Sequence, residues 1–193
     1  MKARLFSLLL ILALPLAACQ RQPDASKAAA SPEPQALPAL RSEQLANLAY
    51  PSDFAQGGQA RLKNGSYQEA PDPLTGVGLS VRLGPWQASG DLNGDGQLDS
   101  AVVLVSDPGG SGVFYELAVV SNEAGQPGAI RLIPLGDRVD IRGLSIAGGH
   151  IQVDLLQAGP RDPACCPTQH LSRQFQLQGD RLVALGLAGQ KAG

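Results

Sequence analysis

From Gln59 to Leu187 the apolar residues come in short runs, and each run is soon cut off by Gly, Pro, Asn or Asp. An amphipathic helix needs an apolar stripe recurring every three to four residues over several turns, and that rhythm is hard to find here. The 23 glycines and 15 prolines among 193 residues supply the breaks. The expected fold is therefore mostly β: one small domain of antiparallel strands, built as a sandwich, an open barrel or a meander, with at most one or two short helices. Aromatic residues make up only 4 % of the chain, so its core must come from Val, Leu, Ile and Ala.

Individual strands are legible from their patterns. Gln59 to Lys63, then Asn64-Gly65, then Ser66 to Glu69 reads as a β-hairpin, because Asn-Gly accepts the positive φ angles of a type I′ turn. Alternation at Leu79, Val81 and Leu83 predicts a strand with one face inward. Ala101 to Val105 is apolar throughout, as expected of a strand covered on both faces. Phe114 to Val120, Ile130 to Leu135, Val139 to Ile141, Ile151 to Leu156, Phe175 to Leu177 and Leu182 to Leu187 continue the series. Ser42 to Leu48 reads as a short helix with Ser42 as N-cap and Glu43 and Gln44 in its first turn. No fixed-period repeat is visible.

The amino-terminal stretch has a different character. Lys2 and Arg4 precede the apolar run Leu5 to Leu16, which is too short to span a bilayer. Leu16-Ala17-Ala18-Cys19 then reads as a lipobox, and it resembles the acceptor site of bacterial lipoproteins, whose Cys carries the acyl chains. Residues 1–18 are thus expected to be a cleaved signal peptide and Cys19 the site of lipidation, anchoring the protein to a membrane. Gln20 is not the Asp that retains many lipoproteins in the inner membrane, so the outer membrane, facing the periplasm, is the expected location. Residues 19–40, with their Pro, Ala, Ser and Gln, read as a disordered linker, and 41–193 as the β-rich globular domain. Cleavage takes the formal net charge from −2 to −4. An acidic chain lacks the basic face that nucleic-acid binding requires, so nucleic acid is not an expected partner.

The chemistry-bearing segment is Asp91-Leu92-Asn93-Gly94-Asp95-Gly96-Gln97-Leu98-Asp99, with the spacing D-x-N-x-D-G-x-x-D. Calcium takes about six to eight oxygen ligands, and a tight loop turns alternate side chains towards one point. Asp91, Asn93 and Asp95 would give side-chain oxygens, Gln97 its backbone carbonyl and Asp99 a carboxylate, with Gly96 allowing the reversal and Leu98 pointing into the core. A metal-free turn, with the same side chains bonded to local N–H groups, is the competing reading. The loop resembles the first half of an EF-hand loop, but Val102 stands where the bidentate Glu would be. It is more similar to the calcium loops of FG-GAP-type repeats in β-propellers, a likeness that covers Gly90 to Val105; one copy makes no propeller.

Cys165 and Cys166 are adjacent within Asp162-Pro163-Ala164-Cys165-Cys166-Pro167-Thr168. They read as a disulfide clamp, as a redox or soft-metal site, or as a link to another chain; Arg161 and His170 are near in sequence. Asp107 to Gly112 reads as a glycine-rich hairpin loop and lacks the Lys-Ser/Thr pair of a phosphate loop. His150, His170 and Ser111 fall in no catalytic signature, so no enzymatic activity is expected. Several segments, among them Tyr50-Pro51-Ser52, Asn64-Gly65-Ser66-Tyr67, Gly90 to Gly96, Leu135 to Val139 and Asp162 to Pro167, look like those of an uncharacterised family of exported bacterial proteins, often lipoproteins. That resemblance runs from about Tyr50 to Val183, implies one domain and carries no activity with it.

The expected function is a binding or structural role in the cell envelope, with calcium in the Asp91–Asp99 loop and an envelope protein or the cell wall as partner. A thiol redox or soft-metal protein acting through Cys165 and Cys166 is one alternative; a small inhibitor or sensor of an extracellular protein is another.

Overall fold

The computed structural model describes residues 38–163 and 165–187. The expected signal peptide, Cys19 and most of the linker lie outside the described residues. The fold begins earlier than the expected boundary at residue 41. Leu40 is buried in an apolar cluster, and the Asn122 side-chain amide donates to the Pro38 carbonyl at 3.0 Å.

The one helix among the described residues, α1 (Ser42–Leu45), is a single turn, and its N-cap is Arg41 rather than Ser42. The Gln44 side chain accepts from the Arg41 N–H at 3.0 Å while the Gln44 N–H donates to the Arg41 carbonyl at 2.9 Å. That reciprocal pair moves the cap back by one residue. The Ser42 hydroxyl is left to donate to Gln87 at 2.8 Å.

Strands β1 (Ala49–Pro51) and β2 (Gln59–Arg61) form a two-stranded antiparallel ribbon. A five-stranded sheet follows in chain order: β3 (Ser66–Gln68), β4 (Ser80–Gly90), β5 (Asp99–Asp107), β6 (Phe114–Glu123) and β7 (Gln126–Asp137). A four-stranded sheet closes the chain: β8 (Asp140–Ala147), β9 (His150–Gln157), β10 (Gln169–Gln178) and β11 (Arg181–Leu187). All pairings within both sheets are antiparallel. The molecule is the expected mostly β, antiparallel domain, with the two sheets packed as a sandwich.

The expected hairpin forms only at its tip. Asn64 and Gly65 take φ of 51° and 83°, and Lys63 and Ser66 exchange backbone bonds of 2.8 and 3.2 Å. Beyond that bridge the flanks part, β2 joining β1 and β3 joining β4. Ala60 and Leu62 explain the parting, since both are buried with Tyr50 and Leu45 over one face of the five-stranded sheet. A continued hairpin would hold β2 in the plane of that sheet and leave the face uncovered.

The core therefore has two compartments. Val81, Val102, Leu104, Ala118 and Val120 lie under α1 and the ribbon; Ala101, Val103, Leu117 and Val119 lie against Ile141, Ile151, Val153, Leu155 and Phe175 of the other sheet. β5 serves both, and every residue from Asp99 to Ser106 is buried. This is the two-sided cover expected from the unbroken apolar run at Ala101 to Val105.

β4 is irregular at one place and closely packed at another. It slips register between Leu83 and Gln87, where Gly84-Pro85 interrupts the ladder and lets Trp86 fold back over Gly84. At its far end, a Cβ on Gly90 would collide with the Ile146 side chain of β8, so that side chain packs directly on the bare backbone of the other sheet. Among the described residues no helix is long and apolar enough to cross a membrane.

Candidate functional site

The Asp-rich segment is the connection between β4 and β5. Its reversal uses Gly94 and Gly96 at φ of 83° and 81°. Asp91 accepts the N–H groups of Gly94 at 2.7 Å and Gly96 at 3.0 Å; Asn93 accepts that of Asp95 at 2.9 Å; Asp95 accepts that of Gln97 at 2.8 Å. Asn93 also donates its side-chain amide to Asp95 at 2.9 Å. Each acidic or amide side chain thus folds the backbone around itself, and the oxygens that accept these N–H groups each retain a second lone pair.

Asp99 differs from the others in burial. It is fully buried at the start of β5, with one carboxylate oxygen accepting from Leu92 at 3.1 Å and the other from Asn122 at 2.9 Å. Burial pushes its pKa up, the two N–H bonds pull it down, and the charges of Asp95 and Asp91 add to the rise. Among the described residues no cationic side chain relieves this. The ion pairs there are Arg138–Asp137 and Arg142–Asp140, both elsewhere.

The donor set is all oxygen and mostly anionic, which suits a hard cation such as calcium. It is not gathered into a cage: among the described residues no three His, Cys, Asp or Glu side chains stand close enough to hold a metal together. Leu98 is only half-buried, and Leu92 is the loop residue that enters the core, 5 % exposed beside Val103 and Val119. The reason is the Leu92-to-Asp99 bond, which turns the start of the loop inward.

Asn122, which belongs to no sequence motif, is the hub beneath this loop. At 1 % exposure it donates its N–H to Asp99 and its amide to the carbonyls of Leu98 and Pro38, and accepts from Gly125 at 2.7 Å. The Gln97 side chain accepts from Ala124 in the same turn. The loop is thereby tied to the β6–β7 hairpin. A polar Asn two residues past the apolar run Leu117–Val120 is the one signal the sequence offers for it.

Cys165 and Cys166 sit in the β9–β10 connection, bonded to each other and both exposed. Asp162 shapes that connection, accepting from Gly159 at 2.8 Å and from the Thr168 N–H at 2.8 Å and hydroxyl at 2.9 Å. These bonds, that from Gly159 foremost, hold its carboxyl below the usual carboxylate range. Arg161 and His170 are exposed nearby in the chain, while His150 lies far off at the start of β9, its ring nitrogen bonded to the Gly148 carbonyl at 2.8 Å. The glycine-rich stretch after Asp107 is the β5–β6 connection, its Gly109 N–H held by the Asp107 carboxylate at 2.8 Å.

A further group has no counterpart among the sequence motifs. Asp53 and Phe54, just after β1, lie over Phe114 and Glu116 of β6 and Pro134 of β7, and together they wall a cavity of about 360 Å³. The two phenyl rings stack with centroids 4.9 Å apart. Asp53 and Glu116 are too distant in sequence to form a motif, which is why pattern reading passes over them.

The chain matches no protein-family model, no curated protein and no solved structure, so the reading of these sites rests on their own chemistry.

Proposed function

We propose that the protein is a lipid-anchored component of the bacterial cell envelope with a non-enzymatic binding or structural role, its β-sandwich stabilised by calcium at the Asp91–Asp99 loop. The observation that carries the calcium reading is Asp99, a buried carboxylate with no cationic neighbour among the described residues, in the field of two further aspartates. Asp91, Asn93, Asp95, the Gln97 carbonyl and Asp99 would hold the ion. Its contribution would be to neutralise the loop and pin β4 to β5, a stabilising role rather than a chemical one. The anchor rests on Leu16-Ala17-Ala18-Cys19, and attachment to the outer membrane follows from that string and Gln20. The partner in this reading is an envelope protein or the cell wall.

Calcium titration of the purified protein by calorimetry, with thermal melting alongside, tests the loop. Saturable heat and a rise in Tm, both lost in Asp95→Ala, are expected; no heat and no shift would overturn the calcium reading. Metabolic labelling with a fatty acid, lost in Cys19→Ser, tests the anchor.

A second reading, in which Cys165 and Cys166 exchange with a dithiol of the same compartment, gains support from Asp162. A bond between neighbouring residues closes almost no chain, so it adds little to loop entropy. Asp162 already closes the connection, which leaves an exposed pair free for chemistry. Oxidation of the two thiols releases two electrons and two protons to a partner disulfide, and the reverse step returns them. Reduction by a dithiol should proceed without loss of the fold. Reduction only upon global unfolding would remove this reading.

A further inference from the structure

The cleft between Asp53 and Glu116 holds features that the sandwich does not need. A second cavity of about 330 Å³ adjoins the one under Phe54, sharing Asp53, Glu116 and Pro134 and reaching Ser52 and Leu132. Ser52 is 5 % exposed and Ser106 fully buried, and neither hydroxyl oxygen has a hydrogen-bond partner. Ser106 lines neither cavity and faces Glu116 from within the sheet. Buried hydroxyls left bare are uncommon in a folded protein and call for an explanation.

The register of the sheet puts these groups together. Ser106, Phe114, Glu116 and Pro134 project from the same face as Leu104, Ala118 and Leu132. The ribbon and α1 cover that face up to Ser52; after β1, Phe54 folds onto Phe114 and buried Ala55 returns to the same apolar cluster. β6 and β7 slip register between Tyr115 and Glu116, beside Gly136 at φ of 140°. A bulge of this kind re-aims side chains at the end of a strand. Half-buried Glu116 is consequently held next to Asp53, and burial first, then the Asp53 charge, raises its pKa. Arg131 also lines the second cavity, with its guanidinium nitrogens donating to the carbonyls of Asp180 and Ile130.

We infer that this cleft binds a primary alkylammonium group, with Asp53, Glu116 and the Ser52 hydroxyl taking its three N–H donors and the Phe54–Phe114 stack and Pro134 lining its aliphatic stem. An ammonium has three donors and no acceptor, which suits a site made of two carboxylates and one bare hydroxyl oxygen. Aromatic faces favour a cation as well as its methylene groups. Calcium fits less well, because it needs about six to eight oxygens and the walls here are phenyl and prolyl. A neutral polyol would leave the repulsion between the two carboxylates in place. The ammonium can come from a lysine side chain or from a free amine, and the site is independent of the Asp91–Asp99 loop.

The test is an NMR titration of the phenylalanine ring resonances of the full protein at neutral pH. Its probes are n-butylammonium, n-butanol, Nα-acetyl-lysine methylamide and calcium chloride. A ligand of this size should bind with a Kd of about 1 mM. Saturable shifts with butylammonium and none with butanol are expected. Glu116→Gln and Asp53→Asn should each weaken binding by about tenfold or more, as loss of a charge-assisted bond implies. Asp53 lies outside the strands, so its variant serves should Glu116→Gln disturb the fold. Tighter binding of the lysine derivative assigns the source to a lysine side chain, and equal or weaker binding to a free amine; either outcome supports the site. Absence of saturable shifts up to about 20 mM, equal binding to both variants, or displacement of the amine by calcium at equal concentration would overturn it.

Discussion

Replacing Asp99 by Asn asks whether the base of the β4–β5 loop is held by two backbone bonds. The side chain is fully buried and each carboxylate oxygen accepts one N–H, from Leu92 at 3.1 Å and Asn122 at 2.9 Å. Asn preserves the shape and one acceptor, but its other terminal group is a donor, so one of the two N–H groups meets a second donor. A buried N–H left without a partner costs about 1–3 kcal/mol. The neutral amide regains part of this, since it escapes the desolvation that disfavours the charged carboxylate. The net expectation is a loss of about 1–2 kcal/mol, or a fall of about 2–8 °C in Tm for a domain of this size. Circular dichroism melting in excess chelator isolates the hydrogen-bond effect from any metal. Asp95→Ala in the same buffer should move Tm little, because Asp95 is exposed and its bonds, from the Gln97 N–H and the Asn93 amide, stay within the loop. An Asp99→Asn melt at or above that of the parent would refute the reasoning, since the two bonds would then contribute less than the buried charge costs.

Tyr50→Phe should destabilise by about 1 kcal/mol in urea unfolding, because the fully buried Tyr50 hydroxyl donates to the Leu45 carbonyl at 2.9 Å and that acceptor would be left bare. Gly90→Ala should cost about 1–3 kcal/mol in the same measurement, as the new methyl group meets Ile146 at the junction of the two sheets. Glu116, facing Asp53 and Ser106, has a folded pKa above its unfolded one. Its contribution to stability is therefore complete below about pH 4 and declines as pH rises through the folded pKa. Urea midpoints measured across that interval should show a smaller decline in Glu116→Gln than in the parent.

Where the chain alternates or runs apolar, its residues suffice to place a strand. Ala101 to Val105, Phe114 to Val120 and Ile151 to Leu156 all lie within strands of the structure. β8 and β10 are legible only in part, at Val139 to Ile141 and Phe175 to Leu177. Gly143 and Ser145 in the one, and Gln169, His170, Ser172 and Gln174 in the other, carry no apolar signal, and backbone pairing rather than side-chain burial keeps them in the ladder, while Arg142 is the residue bulged out of it. Gly84-Pro85 hides the length of β4 by looking like a turn when it is a slip in register. The Asx bonds of the Asp-rich loop follow from residue spacing alone, but Asn122 beneath it and the Asp53–Glu116 cleft are products of which strands become neighbours. No local pattern encodes that.

Within both sheets and the ribbon, every ladder joins strands that follow one another in the chain. The chain leaves one layer for the next only between β2 and β3 and between β7 and β8. Most pairings can therefore form by closing short loops, whose entropic cost is small, so folding should be fast for an all-β domain. β5 is the exception in timing: its ladder can assemble early, yet its two faces are covered by segments from opposite ends of the chain. Its amides should be the last to exchange with solvent, and they report when both halves have docked.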